Sequence, residues 1–203
     1  MSVRLKMKVT STRVIKDKQS LQEFKNKYHY ISGNHVDSRY LEAASIVRGI
    51  YNKNSELIGG YVLNSNIPHR YLSDIPKEAI LQSSTPSQDD LVEGCCIWMS
   101  NELSSFKRGW VYLMTFYDYL SLGKRYMLGA SIEPKVAKLQ RLVFPNVLYE
   151  GPLEHAPWCC MYYGTRRHMA KLILVIIYKY WVSSFIKHRV KSFKSLFTLQ
   201  SKA

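Results

Sequence analysis

The sequence predicts an α/β (α+β) domain in which strands and helices interleave, with one long helix added at the C-terminal end. Three observations predict it. Val3, Leu5, Met7 and Val9 alternate with Arg4, Lys6 and Lys8, the period-two signature of a half-buried strand. Leu21, Phe24 and Tyr28 recur at intervals of three and four, as residues on one face of a helix do. Runs of the two kinds interleave along the chain, and 46% apolar with 13% aromatic residues over 203 positions suffices to bury one core.

The elements follow in order. After the first strand, residues 19–30 carry the helical spacing. ASIVRGIYNKNSELIGGYVLNS reads as two strands joined at Asn52-Lys53-Asn54-Ser55, a hairpin with turn-forming residues at its tip. A polar excursion with Pro68 and Pro76 leads to LVEGCCIWMS, residues 91–100, a strand apolar almost throughout and therefore central. FKRGWVYLMTFYDYLSLG is a helix stopped at Gly123, and EPKVAKLQRLVF is one bounded by Pro134 in its first turn and Pro145 beyond its end. RYMLGAS between them is a strand, and NVLYEGPL and WCCMYYGTR close the sheet. Residues 1–165 form this domain, and 166–203 a basic amphipathic helix. Residues 82–90, QSSTPSQDD, have the composition of a disordered loop.

Charge and cysteine usage narrow the partners. The net charge is +14, and nine of the basic residues but no acidic one follow Glu154. An acidic partner fits this surplus. The cysteines form two adjacent pairs, Cys95-Cys96 and Cys159-Cys160. Neighbours in a strand point to opposite faces, and C-x-x-C spacing is absent, so buried free thiols in a reducing compartment are expected rather than a metal or redox site. The six histidines form no ligand spacing, and no metal is expected. No signal peptide opens the chain, which implies a cytoplasmic location.

The order of elements resembles the GNAT superfamily of acyltransferases over residues 1–165. That resemblance implies a mixed, mostly antiparallel sheet flanked by helices and splayed open between its fourth and fifth strands, here EGCCIWMS and RYMLGAS, with an acyl donor's pantetheine arm in the opening. The co-substrate would be acyl-CoA or the acyl-phosphopantetheine of an acyl carrier protein, with no permanently bound cofactor. Ile97, Trp98, Met99 and Ser100 would line the arm. Ser104, Lys107, Arg108 and Gly109 would meet its phosphate at the head of the next helix. Within the superfamily, Pro68, Leu72, Asp74 and Pro76, followed by Glu102, Ser104 and Phe106 in E-x-S-x-F spacing, resemble the autoinducer (acyl-homoserine-lactone) synthases. The chain departs from them at Ser105, where their motif has arginine, and at Val62, where their strand has one; their early tryptophan has no counterpart. The diphosphate signature R/Q-x-x-G-x-G/A is replaced by KRGW, which favours an acyl carrier protein, itself acidic, as donor.

Acyl transfer to an amine needs an acceptor for the amine proton, a donor to the oxyanion and a proton for the thiolate. Glu102 is the first candidate base, on the E-x-S-x-F match, and Glu93 the reserve. The two have opposite strand parity, so they face different sides unless a bulge intervenes. Asp37 matches acidic residues that hold the amine in the synthases, but helix capping explains it as well. Arg70 and Asp74 read as a surface ion pair. Tyr162 and Tyr163 could give the thiolate a proton but read as packing residues, and Arg141 or Phe144 stands near where the superfamily's general acid is expected.

The C-terminal segment offers a second reading. Its apolar run is broken at Lys179, too short for the roughly 20 apolar residues a bilayer span takes. Trp181, Tyr178, Tyr180 and Phe185 beside lysines suit a helix lying on an anionic membrane surface; docking of Leu172, Val175 and Ile176 on the domain is the plain alternative. The leading expectation is an N-acyltransferase; the alternative is a non-catalytic module binding nucleic acid or anionic membrane through this helix, although no recognised nucleic-acid motif occurs.

Overall fold

The structure is a computed structural model describing residues 11–82, 86–141, 144–154 and 156–178. The expected strand at Val3–Val9 and the chain beyond Tyr178 lie outside these residues. Strands β1 (Ser11–Val14), β2 (Ile46–Tyr51), β3 (Leu57–Asn64), β4 (Leu91–Met99), β5 (Tyr126–Ser131), β6 (Asn146–Leu153) and β7 (Ala156–Thr165) form one sheet in the order β1-β2-β3-β4-β5-β7-β6. Only β4 and β5 run parallel; the other pairings are antiparallel.

Helices α1 (Lys18–Ser32) and α2 (Ser38–Ala43) cover one face of β1–β4, and α5 (Ser105–Ser121), α6 (Pro134–Arg141) and α7 (Arg166–Ile177) cover the opposite face. Leu21, Phe24 and Tyr28 of α1 pack with Val62, Cys95, Cys96 and Trp98, so the predicted helical stripe is the buried one. Asp17 caps α1 by accepting from Ser20 N at 2.8 Å, and Gly33, at φ 72°, ends it, a conformation glycine takes without strain. On the other face Val111, Tyr119, Ala137 and Met169 meet Ile58, Tyr61, Val92, Met127 and Tyr162. At Gly60 a Cβ would stand 2.4 Å from Arg48 O and 2.5 Å from Phe24 Cε2, so a bare backbone lets α1 close on the sheet.

A buried polar clamp joins α5 to the sheet. Arg48 donates from Nε and Nη2 to Asp118 at 2.6 and 2.8 Å, and Tyr61 donates its hydroxyl to the same carboxylate at 2.7 Å. Asp118 is 2% exposed, so both partners are needed to keep its charge in the interior.

The polar excursion after β3 folds into α3 (Arg70–Asp74) and α4 (Lys77–Gln82), which periodicity did not reveal because each is shorter than two turns. Leu72 and Ile75 pack on Leu91, Leu128 and Met161, covering the stretch of sheet that α1 and α2 leave open. The neighbouring loop is partly ordered, contrary to expectation: Gln88–Asp90 make a 3-10 turn, with His69 Nε2 3.1 Å from Gln88 O and Lys124 donating to Asp89 O at 2.7 Å. Two further expectations are corrected. Val175, expected on the docked side of α7, is exposed, whereas Met169 and Ile173 are buried. Arg70 does not pair with Asp74 but turns inward. No helix among the described residues is long and apolar enough to cross a membrane.

Candidate active site

The ladder between β4 and β5 has three rungs, Leu91–Tyr126, Val92–Met127 and Glu93–Leu128. Beyond them β4 continues to Met99 paired with β3 alone, and β5 continues to Ser131 paired with β7 alone. The two strands therefore part after Glu93. Two local features coincide with the parting. Gly60 pairs with Trp98 but Val62 with Cys95, so β4 carries one extra residue there, and Cys96 has φ 51°. A bulge of this kind bends its strand. At Gly94 a Cβ would stand 2.4 Å from Met127 Cε, so the Met127 side chain fills the fork where the strands part. Alternate residues of Gly94–Met99 then turn N–H and C=O toward the opening, as the free edge of an antiparallel pair does.

Glu93 closes the fork. Its side chain is fully buried and accepts from the Tyr40 hydroxyl, from Arg70 N at 3.1 Å and from Tyr71 N at 2.5 Å. The carboxylate thus takes the unpaired amides at the start of α3 and ties the excursion and α2 to β4. Burial, then Cys95 and Glu93, raise the Tyr40 phenol far above its ordinary value.

The bulge overturns the expectation that Cys95 and Cys96 face opposite sides. Both lie in the cluster beneath α1, whereas Cys159 and Cys160, consecutive partners of Gly151 and Glu150 in regular register, divide between two clusters as alternation requires. All four are buried free thiols. Cys95 lies 3.2 Å from the Tyr40 hydroxyl and its thiol is pushed well up by burial. The hydrogen bond from Cys95, opposed by burial and helped by the Arg70 charge, draws the Cys96 thiol down. Arg70 reaches Cys96 Sγ at 3.9 Å from Nη1 and His35 O at 2.9 Å from Nη2. Burial works against its charge, and Cys96, Tyr71, Cys95 and Tyr28 more than offset that and raise it. Burial also pushes the Tyr28 phenol up to about 12.

The residues expected to bind the donor lie along the open half of β4 and the turn beyond it. Ile97 is 37% exposed. Trp98 is buried against Phe24, and its Nε1 has no hydrogen-bond partner among the described residues. Met99 packs at the edge of the core, and Ser100 N donates to Ile58 O at 2.9 Å. Ser104 caps α5, accepting from Lys107 N at 3.4 Å. Gly109 is buried in the helix and Lys107 is half-buried. Arg108 folds back, donating to Leu103 O and Ser100 O at 3.0 Å each, and so braces the turn itself.

The candidate bases lie far apart. Glu102 is exposed in the turn after β4, and at 3.3 Å per residue about 20 Å of strand separates Glu93 from Met99. Asp37 caps α2, accepting from Arg39 N at 2.6 Å. Tyr162 crosses Gly129 on β5, where a Cβ would meet its ring at 2.9 Å. Its hydroxyl is buried without a partner among the described residues, and burial raises its pKa. Arg141 pairs with Glu150 at 3.2 Å and Phe144 packs on Tyr162. Sequence reasoning missed Tyr28, Tyr40 and Tyr71 as site residues and the inward course of Arg70, since nothing local marks them. An open depression of about 360 Å³ between α1 and α2 is lined by none of these residues.

No family model and no curated protein matches the chain. Solved structures do share its fold. FeeM, an N-acyl amino acid synthase from uncultured soil microbes, aligns with a TM-score of 0.60 at 15% identity, over 80% of this chain and 93% of its own. The AHL synthase LasI aligns at 0.56 and 9%, over 76% and 89%. NAA60 of Arabidopsis thaliana, solved in complex with acetyl-CoA, aligns at 0.51 and 14%, over 77% and 99%. The fold is that of the GNAT acyltransferases.

Proposed function

We propose that this protein is an N-acyltransferase that takes an acyl group from a thioester donor, acyl-CoA or acyl carrier protein, and passes it to an amine. The observation that carries this reading is the end of the β4–β5 ladder at Glu93 and Leu128. It leaves free main-chain groups along Gly94–Met99 that the amide-rich pantetheine arm can pair with, as a peptide pairs with a sheet edge. That NAA60, with the same fold, is solved with acetyl-CoA, and that FeeM and LasI are acyl-transferring synthases by name, supports it.

With the donor's phosphate at the head of α5 and its arm along β4, the thioester end points into the fork, beside the bulge. The amine nitrogen attacks the thioester carbon, the C–S bond breaks, and the thiolate leaves. In this reading the amine gives its proton to the Tyr40 oxygen as the Tyr40 hydroxyl gives its own to Glu93, to which it is hydrogen-bonded, and the bulge amides stabilise the oxyanion. Glu102 is then a residue of the cleft's outer end and Asp37 a helix cap. In this reading Tyr162, whose buried hydroxyl has no partner among the described residues, gives the thiolate its proton.

The test is thiol release. Purified protein is given acyl-CoA or acylated carrier protein over a range of chain lengths, with a pool of amines, and free thiol is followed with a chromogenic disulfide. Amine-dependent release is expected; none with any donor rejects the reading.

A further inference from the structure

Arg70 sits where three segments meet: the excursion, the α1–α2 connection at His35, and the β4 bulge at Cys96. Its guanidinium carries five N–H donors, yet among the described residues its side-chain bonds are one to a backbone carbonyl and one long contact to a sulfur. Among the described residues its side chain has no carboxylate partner: the ion pairs are Arg48–Asp118 and Arg141–Glu150. Glu93, the carboxylate at hand, is occupied by the Tyr40 hydroxyl and the amides of Arg70 and Tyr71. The contrast with Arg48 is direct. That inward-turned arginine is forked onto Asp118 by two bonds, the arrangement that compensates a desolvated guanidinium. Arg108 also lacks a carboxylate, but it is absorbed in bracing its own turn.

We propose that Arg70 receives a carboxylate of the acceptor, so that the amine acylated at this site is an amino acid or another carboxylate-bearing amine. A planar guanidinium holds a carboxylate through two parallel bonds. In an α-amino acid the amine is one carbon removed from that carboxylate. Fixing the carboxylate on Arg70 therefore holds the nitrogen beside the bulge, where the thioester ends. Tyr71 follows Arg70 on α3, and the Tyr40 hydroxyl meets Glu93 and Cys95 beside them. This inference rests on the acyl-transfer reading for its chemistry but not for the binding step.

Glycine, leucine, phenylalanine and lysine are each compared with their decarboxylated amines as acceptors, with one acyl-CoA, by thiol release. At least one amino acid is expected to exceed its amine about thirtyfold in kcat/KM, mostly through KM, because a site built around a charged partner rejects analogues that lack it. Arg70→Gln removes the preference by lowering kcat/KM for the amino acid far more than for its amine, and Arg70→Lys keeps part of it; circular dichroism verifies that both variants fold. Equal use of acids and amines, or a preference that survives Arg70→Gln, overturns the proposal. Calorimetric titration with the same amino acids, without donor, separates the two readings. Binding by the wild type that Arg70→Gln loses, with no thiol release, keeps Arg70 as the carboxylate receptor and rejects acyl transfer. No binding and no release rejects both.

Discussion

In β4, Leu91 and Val92 pair with β5 and Glu93 pairs on both sides, with Asn64 and Leu128, whereas Gly94–Met99 have a partner only in β3. The two halves share one run of mostly apolar residues, and its first six residues are all buried. Their difference is one of backbone, not of side chains. Where the edge toward β5 is paired it has nothing left to offer a ligand, and where that edge is free it has donors and acceptors that need a partner. Glu93 marks the boundary and secures the closed half, while the bulge at Cys96 opens the other.

The largest effect expected on this division comes from Glu93→Ala. It strands the Tyr40 hydroxyl and two α3 amides in the interior at about 1–3 kcal/mol each, and detaches the excursion. A loss of about 3 kcal/mol or more is expected in urea denaturation, with a fall in Tm of roughly 10 °C. A loss within 1 kcal/mol would mean that the closed half does not depend on this anchor.

A smaller effect tests the open half. Ile97 is exposed on it, so Ile97→Glu is expected to change stability by less than about 0.5 kcal/mol. A carboxylate there opposes an anionic phosphate-bearing donor, and the donor's KM should rise about tenfold, equivalent to about 1.4 kcal/mol. An unchanged KM would place the donor elsewhere.

The smallest effect is at the bulge between the halves. Only the thiolate reacts with iodoacetamide. A thiol drawn below its ordinary value, as Cys96 is, becomes thiolate at lower pH, so its modification should rise earlier than that of Cys159, whose thiol burial pushes up to about 11. Peptide mapping across a pH series should show Cys96 labelled ahead of Cys95. Because the Arg70 charge is one of the groups lowering Cys96, Arg70→Gln should move its profile to higher pH. Labelling of Cys159 ahead of Cys96 would contradict the arrangement.

Much of the fold was legible where periodicity is local. The stripe Leu21, Phe24 and Tyr28, the hairpin at Asn52–Ser55 and the boundaries of α5 and α6 follow from spacing and punctuation within a few residues, and the structure bears them out. The short helices of the excursion did not, because five or six residues cannot display a period. The site was legible only in its strand. Ile97–Ser100 were placed beside a parting of β4 and β5, and the strands do part there. The surrounding side chains, Tyr40, Arg70 and Tyr71, are brought to Glu93 and Cys96 from positions more than twenty residues away in sequence. A strict alternation also misplaced Cys95 and Cys96, since one inserted residue sets both on the same side.

By itself the amino-acid sequence determined which segments are strand or helix and which of their faces are apolar, because those properties depend on neighbours within a turn or a pleat. Only the tertiary structure decided where β4 and β5 separate, how far the excursion reaches across the sheet, and which charge meets which partner. Those outcomes depend on register across strands, on a bulge whose cost is met by packing around it, and on contacts between distant segments. No short stretch of sequence contains these relations.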